Sequence, residues 1–301
     1  MLHGRRAWNH QAGVTDLQTA TGKLPSELAA GAAAAARAAA DRAGADIRLL
    51  ESVAEFEAAS RLVARIWSDD DPKAPPTLLR ALSHAGNFVA GAFNEAQLVG
   101  VSIAFFGQEG DEFHLHSHIT GVDPLLQNKS LGFALKQFQR SWALAHGASS
   151  VRWTADPLVR RNLFFNLGKL GATVVGYYSD FYGPLLDGVN GAGESDRVLL
   201  DWELASPRVI EAADLLPLEP VVSPAAAVIL ASGTDGAPVA TRSGAGRLLV
   251  WIPDDIVELR RSDPRQAEGW REAVRRAIGG ALADGYRGEA ITRDGWLVLT
   301  R

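Results

Sequence analysis

The sequence of 301 residues contains no cysteine, which excludes disulfide bonds, thiolate metal sites and a cysteine nucleophile. No apolar run approaches the roughly 20 residues that a membrane-spanning helix needs. The first residues, Met1 to Arg6, include no apolar segment of the kind found in signal peptides. We therefore expect a cytoplasmic bacterial protein that does not enter membranes.

Positive charge is also scarce, since 30 lysines and arginines face 35 aspartates and glutamates, for a formal net charge of −5. Proteins that bind nucleic acid generally present a basic surface, so this balance argues against such a partner. Hydrophobic residues make up 47% of the chain, which is enough for a large buried core. The length allows two domains or one large one.

The pattern of apolar and turn-forming residues divides the chain into three parts. Residues 1–45 combine a polar tail with an alanine-rich helix, whose small side chains predict loose attachment. Residues 46–205 predict elements in the order β-αα-β-β-β-α-β-α-β-β. Prolines then punctuate a linker-like piece, and the rest of 206–301 predicts a small α+β unit, whose strands either extend the first sheet or form their own.

A strand–loop–helix segment in the middle of the chain carries the most information. Residues 113–122 have strand character, 133–146 have the pattern of a helix, and the loop between them has the spacing Gln127-x-x-Ser130-x-Gly132. The first amides of a helix have no internal partner and carry a partial positive charge. Small residues let a phosphate reach those amides, so the segment predicts a pyrophosphate site.

A second segment follows about thirty residues later. Residues 149–155 predict a strand, and Asp156 precedes a helix that continues to residue 170. Within it, Asn162 stands nine residues before Gly171.

The two segments together resemble the GNAT acyltransferases, whose motif A has the pattern Gln/Arg-x-x-Gly-x-Gly/Ala and whose next helix carries an Asn at this spacing. Ser130 stands where the first glycine of motif A usually lies, which puts in doubt any need for a positive backbone angle there. The resemblance covers residues 46–204 and implies an α/β (α+β) fold of GNAT type. That fold has a mixed, mostly antiparallel sheet flanked by helices, here with a small C-terminal α+β extension.

The resemblance also implies an acyl-CoA co-substrate and no metal. In that family the loop holds the pyrophosphate, and the Asn with a nearby aromatic residue contacts the pantetheine arm. The implied CoA-binding residues are Gly121, Val122, Gln127, Asn128, Lys129, Ser130, Leu131, Gly132, Phe133, Asn162 and Phe165.

The implied reaction is N-acyl transfer to a small-molecule amine such as an amino acid, by direct attack on the thioester. A strand amide, at Val122, polarises the carbonyl oxygen. Acetyl is the default acyl group; succinyl stays open, with Arg197 or Lys129 to hold its carboxylate. Two alternatives are a non-catalytic CoA-binding or regulatory module and an assembly role led by residues 207–301. A homodimer also stays open.

His114, His116 and His118 alternate on one predicted strand and therefore share a face. Three readings compete: a metal tripod, a general base at His118, and hydrogen-bonded histidines in a cleft wall. Neighbours along one strand face lie roughly 6–7 Å apart, too far for three ligands of one zinc ion. Imidazole can take a proton from an ammonium group near neutral pH. His118 is therefore the candidate base, and His116 a candidate substrate contact.

The acid that protonates the leaving thiolate is harder to find. Many GNAT enzymes have a Tyr at the position that Leu167 occupies here. Tyr182 is the candidate that replaces it, although a buried structural tyrosine is the alternative. The candidate substrate-binding residues, besides His116, are Trp153, Asp156 and Arg197. Asp156 also suits a helix cap, and Arg197 an internal Asp–Arg pair.

Overall fold

The computed structural model describes residues 26–67, 73–110, 112–126, 130–184, 193–214, 217–218, 220 and 222–301. Three of the predicted CoA ligands, Gln127, Asn128 and Lys129, lie outside these residues. Among the helices of the described residues, none is both long and apolar enough to cross a membrane.

Within this part of the chain, the strands form one mixed sheet with the order β1-β2-β3-β4-β5-β7-β6-β11-β12-β10-β8-β9. Only the β4–β5 and β8–β10 pairs are parallel, and the other pairs are antiparallel. The predicted α+β class with a mostly antiparallel sheet is therefore confirmed, and the C-terminal strands extend the first sheet. The strands are β1 (Asp46–Leu49), β2 (Phe88–Asn94), β3 (Gln97–Glu109), β4 (Glu112–Val122), β5 (Ser150–Ala155), β6 (Thr173–Tyr178), β7 (Arg197–Glu203), β8 (Ala227–Ser232), β9 (Pro238–Ala240), β10 (Arg247–Trp251), β11 (Arg287–Ile291) and β12 (Trp296–Thr300).

Helices cover both faces of the sheet. They are α1 (Ser26–Ala43), α2 (Val53–Trp67), α3 (Pro76–His84), α4 (Leu131–Ala145), α5 (Arg160–Leu163), α6 (Pro207–Ala213), α7 (Ile256–Ser262) and α8 (Pro264–Ala283). One face packs against α2 and α3, around Phe56, Leu62 and Ile103. The opposite face packs against α4, α5 and α8, in a core that includes Leu115 and Trp202.

The alanine-rich helix α1 lies against α4. Its alanines at 32, 36 and 39 recur on one helical face and are buried. Their small side chains let the two helices approach closely, so the helix predicted to be loosely attached is packed over its whole length.

Three elements differ from the sequence predictions. The helix predicted to span 157–170 is a single α-helical turn, α5, continued by a π-helical turn at Phe164–Lys169. The proline-rich piece after Ser206 contains helix α6, with its proline at the first turn, where no N–H is needed. The short α7 is capped by Asp255, whose side chain accepts a hydrogen bond from the Glu258 amide. The apolar pattern did not indicate this cap.

The C-terminal strands join the sheet through close backbone contact between β11 and β6. Gly288 lies opposite Val174, and a Cβ atom on that glycine would lie 2.9 Å from the valine Cβ. Residues 206–301 share a sheet and a core with the preceding part. The domain boundary at 205/206 stays a prediction from the sequence.

Gly171 ends the π turn with a φ of +73°, and a Cβ there would lie 2.9 Å from the Arg208 carbonyl oxygen. Gly86 has a φ of +79° with nothing within 4 Å of the same position. A left-handed backbone costs an L-residue roughly 1–2 kcal/mol. We expect Gly86→Ala to lose about that much unfolding free energy in urea titrations and Gly171→Ala to lose more. Equal losses would show that the Arg208 contact is relieved by a small shift.

Candidate functional site

The two parallel strands β4 and β5 part soon after they meet. They are paired only at Leu115–Val151 and His116–Arg152, although β4 continues to Val122 and β5 to Ala155. In the described residues no further β4–β5 pair follows these two, and we call the gap between the strands toward their carboxyl ends the wedge.

The backbone of β4 presents unused hydrogen-bonding groups to this wedge. The Asp123 amide donates to the Val99 carbonyl on β3 at 2.9 Å. Bonded and non-bonded pairs alternate in an antiparallel ladder, so Val122, which lies opposite Gly100, directs its N–H away from β3. Thr120, two residues earlier, does the same. Both amides therefore point to the side on which β5 has departed.

The N-terminus of α4 lies at the mouth of the wedge. Ser130 precedes the helix with a φ of +60°. A serine at this position had put in doubt the need for a positive φ, but the backbone does adopt one. The first turn contains no acidic residue. A Cβ on Gly132 would lie 3.9 Å from Val122 Cγ2 and 4.0 Å from Phe165 Cζ. A strand, a helix start and the π turn thus converge around one glycine.

The remaining residues predicted to bind CoA have different surroundings. Leu131 and Phe133 are buried in the core, so that only their backbone can face a ligand. Asn162 is exposed on α5. Gly121 is buried under α2, where a Cβ would lie 2.8 Å from Ile66 Cδ1 and 3.1 Å from the Trp67 ring.

The three histidines lie on the sheet face opposite α4. β4 has a bulge between Ser117 and Ile119, and the residue between them, His118, is exposed. The ring centroids of His116 and His118 are 6.3 Å apart. In the described residues, no group of three or more His, Cys, Asp or Glu side chains is arranged to hold a metal ion.

Desolvation by the surrounding protein lowers the pKa of all three imidazoles. For His118, which keeps contact with solvent but has Phe105 and His116 beside its ring, desolvation is the only cause. For His116 burial acts first, and the nearby positive charges of His118, His114 and Lys136 add to it, which lowers its pKa to about 4. Neutral imidazoles at pH 7 can accept a proton, as a general base must.

Tyr182 and Arg197 border the same face. The Tyr182 hydroxyl lies 3.2 Å from Thr154 Oγ1 on β5, and the ring is 43% exposed, so this tyrosine is not a buried structural residue. The Arg197 guanidinium lies 5.5 Å from the Tyr182 ring centroid and donates to the Asp196 carbonyl.

Two predicted substrate contacts lie elsewhere. Trp153 points to the α4 face, where it meets Trp202 edge-on, because residues of a strand alternate between faces and its neighbour Thr154 faces the histidines. The Asp156 carboxylate is occupied by the Leu158 amide and by Arg260, at 2.9 and 2.7 Å. It therefore closes the turn before α5 and anchors α7, but it does not cap the helix as predicted, because the N-cap of α5 is Val159.

Asp196, predicted to pair internally with Arg197, instead pairs with the C-terminal helix α8. It accepts hydrogen bonds from Tyr177 at 2.6 Å and from Arg275 Nε at 2.8 Å. Burial alone would raise its pKa, but these hydrogen bonds keep the pKa of Asp196 below its ordinary value. Helix α8 thus holds the backbone that carries Arg197.

Lys136 is a residue of the site region that the sequence patterns did not single out. It lies on α4 with only 3% of its surface exposed. Its ammonium donates to Gln139 Oε1 at 2.7 Å and to Ser117 Oγ at 3.2 Å, and lies 3.8 Å from the Trp153 ring centroid. Burial lowers the pKa of Lys136 to about 7. The sequence signal for its burial was weak: a charged residue stands among apolar residues of α4, a helix that packs against both the sheet and α1.

A cavity of about 1170 Å³ lies away from the wedge, between α8 and the strands β8 and β10. Its walls include Ile229, Leu248 and several alanines of α8, with Arg242 and Arg276 at its rim. None of the residues predicted to bind CoA or substrate lines it.

The depressed pKa of Lys136 predicts how stability changes with pH. Between pH 7 and 10.5 the unfolded chain binds a proton that the folded protein does not, so the free energy of unfolding rises with pH in this window. Lys136→Met is expected to remove a rise on the order of 5 kcal/mol. Urea titrations at several pH values would measure it, with the exposed Lys169→Met as control. Curves that stay parallel to the wild type would contradict the shift.

The chain matches no family model and no curated protein sequence. Among solved structures it is similar to a GNAT-family acetyltransferase from Streptococcus pneumoniae, at 13% identity and a TM-score of 0.42 over 52% of this chain and 97% of that one. It is also similar to the ribosomal-protein-S18-alanine N-acetyltransferase from Escherichia coli, at 15% identity and a TM-score of 0.44 over 54% of this chain and 95% of that one. A third is Arabidopsis thaliana Naa50, at 10% identity and a TM-score of 0.41 over 52% of this chain and 97% of that one.

At these identities and TM-scores the likeness concerns the fold and not an activity or a substrate. The similarity covers about half of this chain and nearly all of each of these structures.

Proposed function

We propose that this protein is an acyl-CoA-dependent N-acyltransferase. The observation that carries the proposal is the wedge between β4 and β5, which has unpaired strand amides on one wall and a helix N-terminus at its mouth. CoA has a matching form: an extended arm with two amide groups, joined to a pyrophosphate.

Each part of CoA has a chemical counterpart in the wedge. An extended amide-bearing chain can pair with an open strand edge, and the amides of Thr120 and Val122 offer such an edge. A pyrophosphate suits the first turn of α4, since this turn has no acidic residue. Gly132 leaves space in that turn, and Phe165 closes the opposite wall.

The proposed reaction takes place on the histidine face. His118 accepts a proton from the acceptor ammonium, and the free amine attacks the thioester carbon. An amide of β4 that points into the wedge, that of Thr120 or that of Val122, stabilises the charge that develops on the carbonyl oxygen. The nitrogen loses its second proton to solvent as the C–S bond breaks, and the thiolate takes up a proton, for which Tyr182 is the candidate donor from the sequence. His116 and Arg197 border the space for the acceptor.

We propose a small amine, such as an amino acid, as the acceptor and acetyl as the acyl group. Arg197 supports an acceptor with a carboxylate, because a guanidinium binds a carboxylate with two parallel hydrogen bonds. Its ring contact with Tyr182 would keep it at the edge of the histidine face.

A non-catalytic CoA-binding module is the second candidate, and one observation favours it. Leu167, where many enzymes of the resembled family have their acid, is fully buried in the core. If this candidate is right, acyl-CoA binds to the wedge but no amine in a broad panel is acylated.

The proposed pyrophosphate site is tested by Gly132→Glu. A Cβ at this position would make only ordinary van der Waals contacts, at 3.9 and 4.0 Å, so the variant should fold, but its carboxylate would repel the phosphates. We expect the Kd for acetyl-CoA, measured by calorimetry, to rise at least tenfold. Gly31→Glu is the matched control, because it adds the same charge to α1 at a glycine with nothing within 4 Å. Unchanged binding by Gly132→Glu, or equal loss in both variants, would contradict the assignment.

The proposed base is tested by His118→Gln with an amine found in the panel. Removal of a general base costs roughly 10²–10⁴-fold in rate, so kcat should fall at least a hundredfold while acetyl-CoA affinity is retained. Because burial lowers the pKa of His118 below 6.5, wild-type activity should rise with pH through a value below 6.5, and the variant should lack this rise. His114→Gln is the control on the same strand face. Equal effects of the two substitutions would rule out a specific role of His118.

A further inference from the structure

Lys136 lies at the point where the two strands part. Ser117 and Trp153 are the first residues of β4 and β5 beyond their last pair. The Lys136 ammonium contacts both, at 3.2 Å from Ser117 Oγ and 3.8 Å from the Trp153 ring centroid. It therefore occupies the narrow end of the wedge, on the α4 side.

The surroundings of this ammonium are incomplete for a buried charge. It has three protons to donate, and neutral oxygens of Ser117 and Gln139 accept two of them. In the described part of the chain, no carboxylate forms an ion pair with it. An ion without a counter-charge costs several kcal/mol to bury, so a purely structural role would be served better by an apolar side chain.

We propose that Lys136 is a catalytic residue that protonates the sulfur of CoA as the thioester breaks. The inference rests on the proposed function, since it needs an acyl-CoA in the wedge. An arm that starts at the α4 N-terminus and follows β4 inward ends at the narrow part of the wedge. The Thr120 amide points into the wedge only three residues from Ser117, and would hold the thioester end near this ammonium.

The proton balance of the step is complete. The acceptor nitrogen forms a bond to the carbonyl carbon, the C–S bond breaks, and the sulfur leaves with the bonding electrons. It takes one proton from the ammonium, which becomes a neutral amine. The acceptor nitrogen loses two protons in all: His118 removes the first before the attack, and the second leaves to solvent as the amide forms. The proton on His118 also passes to solvent, and solvent returns one proton to Lys136 before the next turnover, so that each turnover releases one proton net.

The acidity of Lys136 suits this role. A thiol has a pKa of about 8.5 and an ordinary lysine about 10.4, so an ordinary lysine would keep its proton in the presence of a thiolate. Burial lowers the pKa of Lys136 to about 7, which makes transfer to the thiolate favourable. Tyr182, by contrast, is exposed and bonded to Thr154 on the other face of the sheet.

The contact with sulfur is tested by binding free CoA and desulfo-CoA, which lacks only the thiol. A neutral hydrogen bond contributes about 0.5–1.5 kcal/mol, so Lys136→Met should weaken CoA several-fold and leave desulfo-CoA unchanged. Gln139→Leu is the control, because it disturbs the same buried network and keeps the ammonium. Equal losses for the two ligands would mean that Lys136 only supports the wedge and would overturn the inference, while the proposed function would stand.

Turnover provides a second readout with an accepted amine. Wild-type activity should fall as the pH rises through about 7, and Lys136→Met should lose this fall together with at least a hundredfold of kcat. Tyr182→Phe and Gln139→Leu should keep it. If the fall disappears in Tyr182→Phe instead, Tyr182 is the acid and the inference is wrong.

Two outcomes separate this inference from the proposed function. If the wild-type protein binds neither CoA nor desulfo-CoA, both are wrong. If Lys136→Met does not fold, the inference is tested by the affinities of the wild-type protein for CoA and desulfo-CoA. Equal affinities would show that the sulfur has no hydrogen-bond partner and would overturn the inference.

Discussion

The rest of the site depends on the parting of β4 from β5. Two parallel strands that stayed paired would satisfy each other's backbone groups and leave no opening. Here the pairing ends at His116 and Arg152, and the amides of Thr120 and Val122 are left for another partner. Because α4 connects the two strands across one face, its N-terminus comes to the mouth of the same opening. One backbone constraint thus creates a groove, a row of donors and an anion site together.

Buried charge at the narrow end distinguishes this wedge from a simple gap. The Lys136 ammonium lies between the two strands, against Trp153 and Trp202. The low dielectric that lowers its pKa also strengthens every interaction that a bound ligand makes there. On the other face, burial keeps the histidines neutral. The α4 side of the parted strands therefore suits donation of a proton by Lys136, and the other side suits acceptance of a proton by a histidine.

The C-terminal residues contribute to the site by holding the elements around the wedge. Arg260 holds Asp156, at the end of β5, and Arg160 donates from α5 to the Ile252 carbonyl at 2.9 Å. Arg275 holds Asp196, next to Arg197. These contacts hold the end of β5, helix α5 before the π turn, and the start of β7, which borders the histidine face. The extension therefore supports the elements around the histidine face.

The sequence predicts elements best where apolar period and prolines agree. The sequence predicts helices over residues 53–67, from their apolar period, and 76–84, which begins at a proline, and α2 and α3 have these bounds. The loop motif also led to Gly132 and the second motif to Phe165, and the two residues meet at the wedge. The strand pattern could not reveal that Trp153 on β5 faces α4 while the histidines of β4 lie on the opposite face, because β4 has a bulge at His118. Lys136 stayed hidden because its burial depends on packing from β4, β5 and α4 together.

The central claim is that an acyl-CoA occupies the wedge. Amide hydrogen exchange with and without acetyl-CoA tests it most directly, because it reports the position of the ligand as well as its affinity. We expect slower exchange at the amides of Thr120 and Val122 and in the first turn of α4. Protection confined to the cavity between α8 and β10, or no protection anywhere, would contradict the account.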